Sequence, residues 1–141
     1  MKLLLSCVCD RAVQRSDGRL FIEGQYNDLY APGFPAKHEL TLVTIVEWDR
    51  EDHGRYTFKV QLLDPDGNPS IEGSGYTEVT DSDPTGPAPR TYYIEPLTDV
   101  VFPKPGAYNF RIQVKGAWHE GPTLYLWETD DEAGPGTPPG A

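Results

Sequence analysis

Two stretches of this chain follow one nine-residue pattern, and the pattern admits one kind of backbone. Gly54 to Leu62 and Gly106 to Val114 both read Gly-x-Tyr-x-Phe-base-aliphatic-Gln-aliphatic. In the first, Tyr56, Phe58, Val60 and Leu62 alternate with Arg55, Thr57, Lys59 and Gln61. In the second, Tyr108, Phe110, Ile112 and Val114 alternate with Asn109, Arg111, Gln113 and Lys115. A helix would scatter such a pattern around its circumference. A strand sends successive side chains to opposite faces and so makes one greasy surface and one wet one. Both segments are therefore expected as half-solvated antiparallel strands. Two copies are too few for a solenoid, which needs about three, so they are expected as equivalent core strands, one in each sheet. A tyrosine two residues after a glycine also has the placing of the tyrosine corner of immunoglobulin-like sandwiches, without the Asp and Cys that frame it in antibody domains. Tyr56 and Tyr108 are both expected inside, flanking a shared interior.

The rest of the chain extends this picture. Leu3, Leu5, Cys7 and Cys9 fall on one face of a first strand. An Asp17-Gly18 turn leads into a second, with Leu20, Ile22 and Tyr26 alternating and Gly24 as a bulge. Ala31 to Pro35 reads as a loop. Glu39 to Trp48 is apolar on both faces and rich in β-branched residues, as in a central strand covered from both sides. Asp64 to Asn68 makes a hairpin turn. Gly73 and Gly75 mark the returning strand, Ile71 to Thr80, as bulged or at an edge. Residues 80–90 form a polar loop, Tyr92 to Phe102 is extended but broken at Pro96, and a last strand runs from Thr123 to Glu128. The 14 glycines and 14 prolines make about a fifth of the 141 residues, against a usual ~12%, which leaves little room for helices. The expected fold is all-β: an antiparallel β-sandwich of about eight or nine strands, immunoglobulin-like or jelly-roll-like. Residues 1–128 form its single domain. Residues 129–141 carry acid, glycine and proline but no large apolar side chain, and are expected as a disordered tail.

Several segments together resemble an uncharacterised family of small bacterial single-domain proteins, a domain of unknown function. They are Cys7 to Asp10, Asp17 to Asn27, Gly33 to Pro35, Gly54 to Gly67 and Pro103 to Val114. The resemblance spans most of the chain except the tail. It implies a one-domain β-sandwich without a signal peptide, and it transfers no activity and no catalytic or ligand-binding residue.

Charge and motifs narrow the function. The chain carries 12 bases and 22 acids, a net charge of −10. Setting aside residues 128–141, with four acids and no base, the body still holds 18 acids against 12 bases. Neither nucleic acid nor an anionic membrane suits such a surface. Leu4-Leu5-Ser6-Cys7 imitates a lipoprotein cleavage box, but only three apolar residues precede the cysteine, against the ~7–15 of a signal peptide. A cytoplasmic location is the default. Cys7 and Cys9 are too close in sequence for a useful disulfide and read as buried thiols. Asp64-x-Asp66-x-Asn68 opens like a calcium loop but has Pro69 at the sixth position and Gly75 at the twelfth, so it reads as a turn. His38, His53 and His119 show no metal-ligand spacing and read as solvated loop histidines. Carboxylate pairs suited to glycoside hydrolysis occur in any acidic protein, and nucleophile elbow, phosphate loop and dinucleotide fingerprint are all missing. No metal, no cofactor and no enzymatic activity is expected.

Aromatic side chains give the best functional lead. Leu124 and Leu126 share one face of the last strand, and Tyr125 and Trp127 share the other. With the leucines in the core, Tyr125 and Trp127 are exposed, and Trp118, read in the preceding loop, joins them. Glu120 and Glu128 stand at the rim as hydrogen-bond acceptors. The leading expectation is a non-catalytic protein-binding or scaffolding module, its partner another protein or a second copy. A carbohydrate-binding module stacking sugars on these rings is the alternative, and an enzyme of unrecognised type is third.

Overall fold

A computed structural model describes residues 1–80, 83 and 85–129. Its nine strands are β1 (Lys2–Gln14), β2 (Leu20–Gln25), β3 (Asp28–Ala31), β4 (Ala36–Glu47), β5 (Gly54–Leu63), β6 (Pro69–Val79), β7 (Arg90–Phe102), β8 (Gly106–Val114) and β9 (Ala117–Glu128). They form two sheets packed face to face, β2-β1-β4-β7 and β3-β9-β8-β5-β6. All neighbours are antiparallel except β3 and β9, which run parallel. The order β9-β8-β5-β6 opposite β1-β4-β7 is that of strands G-F-C-C′ opposite A-B-E in an immunoglobulin-like sandwich. Among the described residues no helix is long and apolar enough to cross a membrane.

Alternation builds the interior. Val8, Leu40, Leu42, Val46, Tyr93 and Leu97 from one sheet meet Phe58, Val60, Leu62, Tyr108, Phe110, Ile112, Val114, Leu124 and Leu126 from the other. Each such side chain, fully buried, contributes about 1.5–3 kcal/mol. Phe58 stacks on Tyr93 across the two sheets at 4.6 Å between ring centroids. β4 is the central strand its composition demands: Leu40 through Thr44 are all buried. On its outer face Val43 packs with Cys7 and Cys9 in a small second cluster closed by Ala12, Leu20 and Ile22.

Four expectations are corrected. The two Gly-x-Tyr-x-Phe strands are hydrogen-bonded neighbours in one sheet, β5 beside β8, not one in each sheet. Tyr108 is fully buried, whereas Tyr56 is only partly covered and lies stacked on Trp48. Pro96 does not interrupt β7. On an edge strand the missing N–H faces away from the ladder, and Pro96 stays in register with Thr41. The irregularity comes later, where Asp99 takes a positive φ of 56° and the ladder slips beside His38 and Leu40. Finally, β9 begins at Ala117, six residues before the expected Thr123. β6 is an edge strand, as its glycines indicate. The expected tail lies, from residue 130, outside the described residues. Thr129 belongs to the folded body: it is buried, and its N–H donates to the Ala31 carbonyl at 3.0 Å.

Candidate functional site

The outer face of the five-stranded sheet carries the aromatic candidates Trp118, Tyr125 and Trp127. At one end Leu124 and Leu126 point into the core and lift Tyr125 and Trp127 into solvent, 44% and 48% exposed. The two rings lie near parallel, 27° between planes and 6.4 Å between centroids. β3 holds them from the side. Asp28 pairs with Tyr125 and Tyr30 with Trp127, and the Trp127 indole N–H donates to Asp28 Oδ1 at 2.8 Å. On the other flank Pro105, Gly106 and Ala107 complete an almost wholly apolar hollow of about 360 Å³. Glu128 follows Trp127, exposed at the end of β9.

Trp118 does not join this pair. It stands within β9, opposite Gln113, seven positions from Tyr125, roughly 20 Å at ~3.3 Å per residue. Glu120 is with it, at the far end of the strand from Glu128. The expected cluster is therefore two separate places on one strand. The cause is a tight hairpin in place of the expected loop: Lys115 (φ 53°) and Gly116 (φ 77°) form the two-residue turn between β8 and β9, the left-handed pair a type I′ turn requires.

The exposed aromatic side chains divide by what lies over them. The Arg15 guanidinium sits 3.8 Å from the centre of the Phe21 ring, Arg55 4.0 Å from Tyr76, and Arg111 4.4 Å from Trp118. Tyr125 and Trp127 carry no cation among the described residues. A guanidinium over an aromatic ring is attracted by the ring and occupies the face it covers. The uncapped pair is the one that lines the apolar hollow.

The remaining candidates supply no reactive chemistry. Cys7 and Cys9 are free and buried. Burial pushes both thiols up, Cys9 to about 11, which disfavours the thiolate that nucleophilic or metal chemistry needs. Only His53 is a loop histidine. His38 lies in β4 and His119 in β9, both half-buried, and burial lowers the pKa of His38. No group of three or more metal-ligating side chains converges among the described residues.

Sequence reasoning missed Tyr30, Asn109 and Arg111. Tyr30 lies in a four-residue strand too short to show a period. Arg111 and Asn109 were legible only as outward positions of β8. The Lys115-Gly116 turn was the available signal, since a two-residue hairpin counted backwards sets Arg111 opposite Glu120.

Comparison with known proteins gives a family and no chemistry. Residues 4–126 match a family described only as a family of unknown function (DUF6941). No curated protein matches the chain.

Proposed function

The chain belongs to DUF6941, whose description assigns no activity, and from its surface we propose that it is a non-catalytic binding module that docks a protein partner on Tyr125 and Trp127. One observation carries the reading: these two exposed rings have no arginine over them and flank an apolar hollow. Aromatic anchors beside a pocket are where binding energy concentrates in protein interfaces. The occupant is an extended peptide segment that inserts a bulky apolar residue or proline and flanks it with lysine or arginine. The acidic rim of Asp28 and Glu128 and the net charge of −10 favour basic flanks. The same charge argues against a second copy, which would set two acidic rims against each other. Two free thiols side by side fit a reducing compartment, so we place the module in the cytoplasm, and in a bacterium by its sequence resemblance.

Selection of a displayed peptide library on the intact chain tests this. Enriched peptides are expected to carry an apolar anchor between basic residues, and Trp127→Ala to weaken them roughly tenfold or more. Enrichment of acidic peptides, or equal binding to Trp127→Ala, refutes the reading.

A further inference from the structure

We propose that the other end of β9 is a binding site for a neutral, hydroxyl-rich ring, of the chemical class of a saccharide, held by Trp118, Arg111, Glu120 and Asn109. This site shares no ligand-contacting side chain with the Tyr125–Trp127 hollow and stands independently of it.

The site exists because the β8–β9 ladder slips. Asn109 pairs with Thr123, yet Arg111, two residues on, pairs with Glu120, three residues back. The extra residue falls at Gly121-Pro122. Gly121 lies so close to β8 that a Cβ there would come within 2.8 Å of Ile112 Cδ1 and 3.1 Å of the Phe110 carbonyl oxygen. Only glycine fits. Its backbone sinks against β8, and above it opens a hollow of about 430 Å³ with Trp118 in its wall, within the usual ~300–1,000 Å³ of small-molecule sites.

The two charges of this hollow are not paired with each other, where neighbouring charges on the face are. Elsewhere on the same face opposite charges on adjacent strands meet: Arg55 with Glu78 at 3.0 Å and Lys59 with Glu72 at 3.7 Å. Arg111 and Glu120 are direct cross-strand partners, the arrangement that ordinarily forms such a pair. They do not bond. Arg111 instead gives Nε and Nη2 to Gln61 Oε1, at 2.8 and 2.6 Å, and lays its plane over Trp118. Its Nη1 makes no hydrogen bond among the described residues. The Glu120 carboxylate makes no hydrogen bond or ion pair among the described residues. Asn109 accepts from Thr123 Oγ1 through Oδ1 at 2.7 Å, leaving its amide N–H groups to donate.

These groups select the ligand class. A phosphate or carboxylate would meet Glu120 and a net charge of −10, and an amine would meet Arg111. A hydroxyl donates and accepts at once, so adjacent hydroxyls satisfy the carboxylate on one side and the guanidinium and amide on the other. The exposed part of the indole then takes the apolar C–H face of the ring.

Titration with neutral oligosaccharides (malto-, cello-, xylo- and chito-oligomers, each to about 50 mM, a weak-binding range), followed by ¹H–¹⁵N NMR on the intact chain, tests the proposal. At least one series should shift the Trp118 indole N–H saturably. Glu120→Gln, which keeps size and removes charge, and Trp118→Ala should each weaken that binding roughly tenfold, while Tyr76→Ala, a capped ring elsewhere on the face, leaves it unchanged. No saturable shift with any series overturns the proposal. So do shifts centred on the Trp127 indole, or stronger binding of inorganic phosphate than of any sugar.

Discussion

Tyr56 and Tyr108 hold the same place in the same repeated pattern, on adjacent strands, and reach back the same distance. Each hydroxyl finds a residue four positions upstream. Tyr108 Oη donates to the Lys104 carbonyl at 2.7 Å and accepts the Lys104 backbone N–H at 3.3 Å. Tyr56 Oη donates to the Asp52 side chain at 3.3 Å. Tyr108 is a tyrosine corner, closed on its own backbone, buried, and set edge-on to Phe102 at 5.0 Å. Burial pushes its phenol up, which keeps the proton it donates. Tyr56 stacks on Trp48 at 4.6 Å and ties to a carboxylate that also holds Lys115 at 2.9 Å and the Asp49 backbone N–H at 3.0 Å. A shared sequence pattern thus sets the direction of a side chain. What the side chain meets, backbone or ionisable group, depends on the neighbouring loops, and so does how the contact responds to mutation and to acid.

Deleting the rings gives the largest contrast. Tyr108→Ala empties a fully enclosed site and should cost about 3–5 kcal/mol. Tyr56→Ala removes a half-covered ring and should cost less than about half of that. Urea unfolding midpoints of the two variants decide the matter, and equal losses would mean that Tyr56 is as much a part of the interior as Tyr108.

The glycines that open the two strands come next. Gly54 has φ 99° and Gly106 φ 137°, conformations that cost an L side chain about 1–3 kcal/mol. A Cβ at position 54 meets nothing within 4 Å, whereas at 106 it comes within 2.8 Å of Pro65 Cγ. Gly106→Ala should therefore lower the thermal midpoint by clearly more than Gly54→Ala. Equal midpoints would show that backbone strain alone, not the contact with Pro65, sets the cost at both positions.

The same contrast separates what was legible in the sequence from what was not. Period-two alternation at Phe58 to Leu62 and Tyr108 to Val114, and the two-faced apolar run of β4, are local properties, and they led directly to a sandwich with their apolar residues inside. The alternation of Leu124 and Leu126 with Tyr125 and Trp127 likewise assigned each ring to solvent. Which strands become neighbours is not local. Nothing in either nine-residue pattern says that β5 and β8 share a sheet, because a strand presents the same alternation in either. The pairing of β3 with β9 joins residues nearly a hundred positions apart through a four-residue strand. The candidate site fell between these cases. Its residue types were visible, but their grouping depended on a hairpin and a ladder slip at Gly121-Pro122, and a single unread turn moved Trp118 from one end of β9 to the other.

Acid provides the smallest and most selective test, because the anchor of Tyr56 titrates and that of Tyr108 does not. Burial raises the Asp52 carboxyl, but hydrogen bonds from Lys115, the Asp49 backbone and Tyr56, with the charge of Lys115, outweigh it and hold the group below its ordinary value of 3.8. A carboxyl depressed in the folded state binds fewer protons there than in the unfolded chain. Its contribution is therefore complete above the ordinary value and disappears as pH falls through the lower, folded one. Asp52→Asn abolishes this term at every pH while the other carboxylates titrate in both proteins. The difference in thermal midpoint between the parent and Asp52→Asn should stay level from pH 7 to about 4.5 and narrow below about pH 4. Tyr108→Phe, whose lost partner is a carbonyl, should show a constant difference over the same range. If the Asp52→Asn difference is also constant, Tyr56 is held by its stacking on Trp48 and the carboxylate beneath it contributes nothing that acid can remove.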